Sequence, residues 1–343
     1  MKRVTHKALS APVNPQRRRL IRLSALAFGA VVAGDMLGLS PAQAAEDDEI
    51  RIGYWPIVGG LPLYVAVERG FFKEAGLNVR AVKFASPQQI VEGMITNRIH
   101  GCANGTATGA LGLGAQTMPE LFKFICTNPS NHKWVLDEFL VPLNSPVKSI
   151  AELKGKRIAT GPGIQNVTLA KIILEKNGFT DTKVIELPVG QHVASLAAGQ
   201  IDGVYTLEPT GTVGQMRNLA RTLETGVISK YVLDDADAPW FGGAAALTSS
   251  FINGNADKAK RFIGAYARAV EFIQSQPDAA RENIGNFTGI DSALLKAVPL
   301  PNFVMYNDMN ASDISFFQKY YDIFTERKIF RDHISVAALM YSA

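Results

Sequence analysis

Cysteine is nearly absent. Cys102 and Cys126 are the two in 343 residues, too few for a disulfide framework, and no Cys-x-x-Cys pair offers thiolates to a metal. They are expected on neighbouring strands as free buried thiols, because adjacent-strand geometry suits a disulfide poorly. A Gly-x-Ser-x-Gly elbow, a Walker loop, a Gly-x-Gly-x-x-Gly fingerprint and a His-Glu-x-x-His helix are also missing, which leaves no motif for acyl transfer, nucleotide binding or zinc hydrolysis. Beyond residue 44 the histidines are His100, His132, His192 and His333. None stands at ligand spacing, and each is expected as a surface or core residue. No catalytic residue, metal site or cofactor is assigned. Low-complexity tracts, heptads and fixed-period repeats are lacking too.

The excess of positive charge is confined to one end. The chain carries a formal +4, but seven of its 35 basic residues and one of its 31 acidic residues lie in the first 44, leaving 28 and 30 for the rest. Nucleic acid is therefore not an expected partner. Those 44 residues have a basic start, an apolar run from Leu23 to Leu39 and the small residues Ala42-Gln43-Ala44, the build of a secretory signal cleaved after Ala44. Asp35 and nearby glycines make the apolar run too short and too polar for a membrane span. Gln16-Arg17-Arg18-Arg19-Leu20-Ile21-Arg22 fits the twin-arginine export pattern, and an ordinary Sec signal with a rich basic end fits as well. Neither cysteine lies near the cleavage point, so the product is expected without a lipid, soluble in the periplasm.

From Glu49 onward short β-rich runs alternate with helical stretches, the rhythm of βαβ units in an α/β fold. The first round has strands at Ile50 to Tyr54, Asn78 to Phe84, Ile99 to Ala103 and Leu121 to Thr127. Ser86-Pro87-Gln88-Gln89 opens a helix, and Asn104-Gly105-Thr106 opens a small-residue helix. An extended run, Trp134 to Leu143, leaves this round. The second round starts at the capping box Ser149-Ile150-Ala151-Glu152 and has strands Arg157 to Thr160, Lys183 to Leu187 and Ile201 to Tyr205, with a helix from Asn166 to Asn177. A second extended run, Gly243 to Thr248, returns the chain to a helical C-terminal third in which Phe262, Tyr266, Ala269, Val270 and Ile273 recur at helical spacing. Two lobes are expected, each a sheet flanked by helices, 45–141 with 246–343 and 142–245, joined by two hinge crossings at the extended runs.

Ligands of open α/β sheets sit at strand ends, where helix N-termini offer free NH groups. Those edges nominate Tyr54, Trp55, Gly59, Gly60, Asn104, Thr106 and Thr108 from the first round. From the second they nominate Gln165, Asn166, Thr168, Tyr205 and Glu208, with Trp240 near the return crossing. Asn104, Thr106 and Asn166 would serve equally as helix caps, Trp55 and Trp240 as interlobe packing, and Glu208 as a carboxylate at a helix start. The loops 54–61, 104–108, 161–168 and 205–212 hold no lysine or arginine. A small, mostly neutral or amine-bearing organic solute is expected, with a singly charged sulfonate held by helix NH groups as the other option.

Arg51-Ile52-Gly53-Tyr54, Leu61-Pro62-Leu63 and Glu68-Arg69-Gly70-Phe71-Phe72-Lys73-Glu74-Ala75-Gly76-Leu77 together resemble the opening of the sulfonate, taurine, nitrate and thiamine-pyrimidine-precursor binding proteins. Ser149 to Ala159, Ala197-Ala198-Gly199-Gln200-Ile201-Asp202-Gly203 and Glu208-Pro209 are similar to later landmarks of that family. The resemblance implies a two-lobed periplasmic-binding-protein fold of type II that closes on a small molecule. It further implies a monomer that delivers its ligand to an ABC permease in the inner membrane with a cytoplasmic ATPase. An enzyme acting on a small aromatic or pyrimidine compound on the same scaffold, and a periplasmic sensor domain, are the alternatives.

Overall fold

The computed structural model describes residues 48–181 and 183–342; the expected export signal at 1–44 lies outside them. Strand β1 (Ile50–Tyr54), helix α1 (Leu61–Glu68), β2 (Val79–Lys83), α2 (Pro87–Ile95), β3 (Gly101–Ala107), α3 (Thr108–Thr117) and β4 (Phe122–Thr127) follow the expected first round. The start of α2 is set locally, with Pro87 in the first turn and the Ser86 hydroxyl accepting from the Gln89 NH at 3.4 Å. One expectation fails at β3. Asn104, Gly105 and Thr106 continue the strand instead of opening a helix, because β3 is a central strand paired with β1 on one side and with a later strand on the other. Its small residues suit the crowding there: a Cβ on Gly101 would lie 2.4 Å from the Ala246 carbonyl oxygen.

The second round forms β5 (Asp137–Pro142), β6 (Ile158–Thr160), α4 (Ile164–Lys176), β7 (Val184–Glu186), β8 (Gly203–Leu207), α5 (Thr210–Met216), β9 (Ala220–Thr225) and α6 (Val227–Tyr231). The capping box at Ser149 becomes a single 3₁₀ turn, Ile150–Leu153, in which the Ser149 hydroxyl meets the Glu152 carboxylate and caps no backbone NH. Then come β10 (Gly243–Thr248), α7 (Ala256–Ser275), β11 (Val304–Met305) and α8 (Ala311–Glu326). The apolar stripe of α7 behaves as its spacing predicts: Phe262, Tyr266, Ala269, Val270 and Ile273 are all buried, and the helix packs on α1. Burying each large side chain of that stripe stabilises the lobe by roughly 1.5–3 kcal/mol.

Two sheets result, β11-β4-β10-β3-β1-β2 and β7-β6-β8-β5-β9. β1, β2 and β3 run parallel, as do β6, β7 and β8, while β10 runs antiparallel between β3 and β4, β11 antiparallel to β4, and β5 antiparallel between β8 and β9. This is the two-lobed fold expected from the sequence. The extended runs are not its crossings, however. The boundary after residue 141 falls inside β5, which belongs to the second sheet, and the one after 245 falls inside β10, which belongs to the first. Both runs are long enough to gain a full ladder of hydrogen bonds, so the sheets absorb them. The chain changes sheet at 128–136 and 232–242. These segments are tied together at Ser130 and Trp240, whose NH groups each donate to the other's carbonyl at 3.0 and 2.8 Å.

Cys102 and Cys126 are free and buried, but β10 lies between their strands, so they are not on neighbouring ones. Burial pushes both thiols up to about 12. Among the described residues no helix is long and apolar enough to cross a membrane.

Candidate functional site

The strand ends of the two sheets face each other, and Trp55 stands between them. Its ring reaches from the end of β1 to the second sheet, where a Cβ on Gly161 would lie 3.3 Å from its Cη2. Trp55 borders three interlobe spaces. One is an inner enclosure shared with Asn104, Asn128, Gln165, Asn166 and Trp240. A second, a crevice with no room for a water, lies on the second-sheet side with Thr160, His192 and Tyr205. The third is a chamber of about 440 Å3 at the mouth. The inner enclosure measures about 10 Å3, barely the volume of one water: the lobes are closed on each other.

The inner groups fall into two kinds, those already satisfied and those without a protein partner. Gln165, near the start of α4, reaches across to the first lobe. Its Oε1 accepts from the Gly109 NH at 2.6 Å, near the N-terminus of α3, and its Nε2 donates to the Gly242 carbonyl at 2.9 Å. Asn104 is turned into its own lobe, donating to Cys126 Sγ at 3.3 Å and accepting from the Tyr266 hydroxyl at 2.6 Å. Asn166 donates to the Pro162 carbonyl. In contrast, both amide atoms of Asn128, the Trp240 indole NH, the Tyr205 hydroxyl and the Thr160 hydroxyl are buried with no hydrogen-bond partner. Buried polar groups left so are costly, which makes these four the groups that a bound molecule would satisfy.

The other nominated residues lie elsewhere. Tyr54 packs edge-on against Tyr64 and Phe287 in the first-lobe core. A Cβ on Gly60 would collide with the Tyr64 hydroxyl, and one on Gly59 would press on Asn128 and Gly105, so these glycines make room for packing. Thr106 and Thr168 are buried but border none of the three spaces; Thr108 supports Gln165 from the first lobe and donates to the Phe241 carbonyl at 2.9 Å. Asn128 escapes a reading of strand ends because no helix follows its strand. The Asn128-Pro129-Ser130-Asn131 turn after β4 is its only signal.

Glu208 stands at a helix start, the other place the sequence allowed it. It caps α5, accepting from the Thr212 NH at 3.2 Å, and lies against a second buried acid, Glu138 in β5. Glu138 is held by the Gly211 NH at 2.7 Å and the Thr222 hydroxyl at 3.1 Å. Burial pushes Glu208 up to about 7 and Glu138 well above the carboxylate range, the latter helped by repulsion from Glu208; burial takes Asp137 to about 6. In the same lobe His192 is driven down to about 4 by burial, with its ring nitrogens meeting the Thr206 hydroxyl and the Leu187 carbonyl.

Stability should therefore follow pH in two opposed ways. The raised carboxyls bind protons in the folded chain that the unfolded chain has released above about 4.5, so their contribution is lost as pH rises through about 7. The depressed imidazole is protonated in the unfolded chain below 6.5, so its contribution is lost as pH falls from there toward about 4. With three raised carboxyls set against one depressed imidazole, melting temperature is expected to fall as pH rises from about 4.5 toward 7. Glu208→Gln should lessen that fall; an unchanged fall would refute the assignment.

A wider groove of about 740 Å3 runs between α8 and helices α4 and α6, away from the strand ends. Lys176 pairs there with Asp234 at 2.6 Å, and Arg327 with Glu175 at 2.6 Å.

A profile of the NMT1-like family matches residues 43–286. The chain belongs to the NMT1-like family. Among relatives of this NMT1-like chain, the "Putative aliphatic sulfonates-binding protein" of Bacillus subtilis (strain 168) is 25% identical over 304 residues, 87% of this chain and 86% of that protein. The nitrate import ATP-binding protein NrtC of Synechocystis sp. is 26% identical over 198 residues, 52% of this chain and 29% of that protein. Among solved structures, the alkanesulfonate-binding protein SsuA from Xanthomonas axonopodis pv. citri bound to MOPS shares the fold of the NMT1-like chain. Its TM-score is 0.69 at 20% identity, covering 86% of this chain and 99% of that one. The resemblance read from the sequence and the two-lobed binding-protein fold both hold.

Proposed function

We propose that this NMT1-like protein is the periplasmic binding component of an ABC importer. It closes on a small organic solute between its lobes and hands that solute to a membrane permease coupled to an ATPase. The observation that carries the reading is the interlobe position of Trp55 together with the unpartnered Asn128, Thr160 and Tyr205. An aromatic wall and a few convergent neutral polar groups are what a small, flat or weakly charged solute needs. Binding without chemistry is favoured because the inner spaces hold no nucleophile beside a base: His192 spends both nitrogens on Thr206 and Leu187, and the two thiols are held protonated by burial. The export signal and the relatives' names support a periplasmic location and a transport partner, and a monomer suffices for the site.

A thermal-shift panel of taurine, alkyl and aryl sulfonates, nitrate, pyrimidines and aromatic acids tests the reading on exported protein whose intact mass should begin at Ala45. A ligand at 100 times its Kd stabilises by about 2.7 kcal/mol, so the melting temperature should rise by several degrees for one class. The ligand should be recovered unchanged. Turnover of the bound compound, or no shift across the panel, would overturn the proposal.

A further inference from the structure

Helix α8 has two unlike faces. Phe317, Tyr320, Tyr321 and Phe324 are buried on one of them, which anchors the helix in the first lobe: Phe317 packs against Phe124 of β4 with ring centroids 5.4 Å apart, and the Tyr321 hydroxyl donates to the Thr108 carbonyl at 2.9 Å. Ile314, Ser315, Gln318, Lys319, Asp322 and Ile323 recur at helical spacing on the other face. They line the groove of about 740 Å3 that separates α8 from α4 and α6 of the second lobe. Two polar bridges span it, Lys319 Nζ donating to the Leu233 carbonyl at 3.0 Å and Arg327 meeting Glu175 at 2.6 Å.

The lobes are therefore spaced differently on the two sides of the crossings. On the cleft side they touch: the inner enclosure measures about 10 Å3, and Arg217 meets Asp291 at 2.7 Å. On the α8 side they stand apart around the groove. The second crossing runs between the two, with Val232 and Asp234 lining the groove and Trp240 lining the inner enclosure. Among the described residues, none that lines the groove borders the three spaces at the strand ends. A rotation about the crossings that parts the lobes at the mouth carries α8 toward α4 and α6, because the crossings are the fulcrum between the two sides.

We infer that the groove is the room that opening consumes, and that the groove-facing side of α8 is a positioning surface that sets how often the ligand-free protein is open. The inference rests on the binding function proposed above, because the balance of open and closed forms is what a solute draws on. Packed protein matter compresses poorly, so a large side chain placed in the groove resists its narrowing and holds the mouth shut from outside the cleft. Nothing in the sequence marks this face of α8, whose polar residues read as an ordinary solvated helix side.

Distances between spin labels in the ligand-free mature protein test it. Cys102 and Cys126 are buried, so introduced cysteines take the label. One pair, Ala85→Cys with Gly190→Cys, spans the mouth chamber, and another, Ser315→Cys with Lys176→Cys, spans the groove. Each pair should report two populations: that of the closed structure, and an open one in which the mouth distance is longer and the groove distance shorter. Ser315→Trp should reduce the open population at the mouth by about tenfold, the change that ordinary overpacking of the open form produces. Ser312→Trp, exposed on the same helix but outside the groove, should leave it unchanged. An open population whose groove distance equals that of the closed form, equal effects of the two tryptophans, or a ligand-free protein with no open population would overturn the inference. Because no ligand enters this experiment, such a failure leaves the thermal-shift panel to judge the binding function by itself.

Discussion

Replacing Gly211 by alanine is expected to cost about 3–5 kcal/mol of stability, the scale of disrupting a buried charged or hydrogen-bonded group, and to lower the melting temperature by roughly 10 °C. The reason is a single collision. A Cβ at that position would lie 1.9 Å from Glu138 Oε2 and 2.1 Å from Oε1. The carboxyl group cannot retreat, because it is fully buried and fixed by the Gly211 NH and the Thr222 hydroxyl. Pushing it aside breaks those bonds and strands an acid beside Glu208. Glu138→Ala vacates the space, so in that background Gly211→Ala should be nearly neutral, which is the coupling a double-mutant cycle reads. Gly264 supplies the control. It lies on the exposed face of α7, where an added Cβ would meet no atom within 4 Å, and Gly264→Ala should stabilise by about 0.5–1 kcal/mol. Urea and thermal denaturation at about pH 6.5 decide; a Gly211→Ala melting temperature within about a degree of wild type would contradict the packing described.

Trp55→Ala is expected to weaken the ligand found in the panel by about 2–4 kcal/mol, some thirtyfold to several-hundredfold, as truncation of a central buried aromatic does. Trp55 is 3% exposed and walls the three spaces at the strand ends. Its first-lobe anchoring is through its backbone: its carbonyl accepts from the Ile57 NH at 2.8 Å and the Tyr64 hydroxyl at 3.1 Å. Alanine keeps those bonds and removes the wall, so the fold should survive while binding fails. Trp134, half exposed at the first crossing, is the matched control, and Trp134→Ala should bind like wild type. Calorimetry would refute the role of Trp55 if its variant bound within about threefold of wild type with an unaltered circular dichroism spectrum.

Several contacts join the lobes: the Val58 NH donates to the Glu208 carbonyl at 3.0 Å, Gln165 bridges to Gly109 and Gly242, Arg217 meets Asp291 and Arg327 meets Glu175. The exposed ion pairs contribute little each, on the order of 0–1 kcal/mol. A ligand shifts the closed population by its differential affinity for the open and closed states. The chain crosses between sheets in two short segments joined at Ser130 and Trp240, where rotation can be absorbed without disturbing either sheet.

The sequence by itself determined the alternation of strands and helices, and with it the two sheets, because apolar period and turn residues act locally. Ser86 and Pro87 start α2 wherever the rest of the chain goes, and the stripe from Phe262 to Ile273 is buried against whichever lobe receives it. Trp55, Gln165, Asn166 and Tyr205 were legible as strand-end residues for the same reason, and Trp240 as a residue of the return crossing. Tertiary structure alone decided the rest. Whether Asp137 to Pro142 is a hinge or a strand depends on a partner ladder supplied by β8 and β9, which come later in the chain, at Gly203–Leu207 and Ala220–Thr225. Whether Glu208 faces a ligand or a second carboxyl depends on β5 bringing Glu138 beside α5, and no local pattern records that meeting. Asn128 and Arg217 likewise gain their place only when the lobes close. A side chain's chemistry is written in the sequence, but its burial, and so its pKa and its unmet hydrogen bonds, is a property of the neighbours that distant segments deliver.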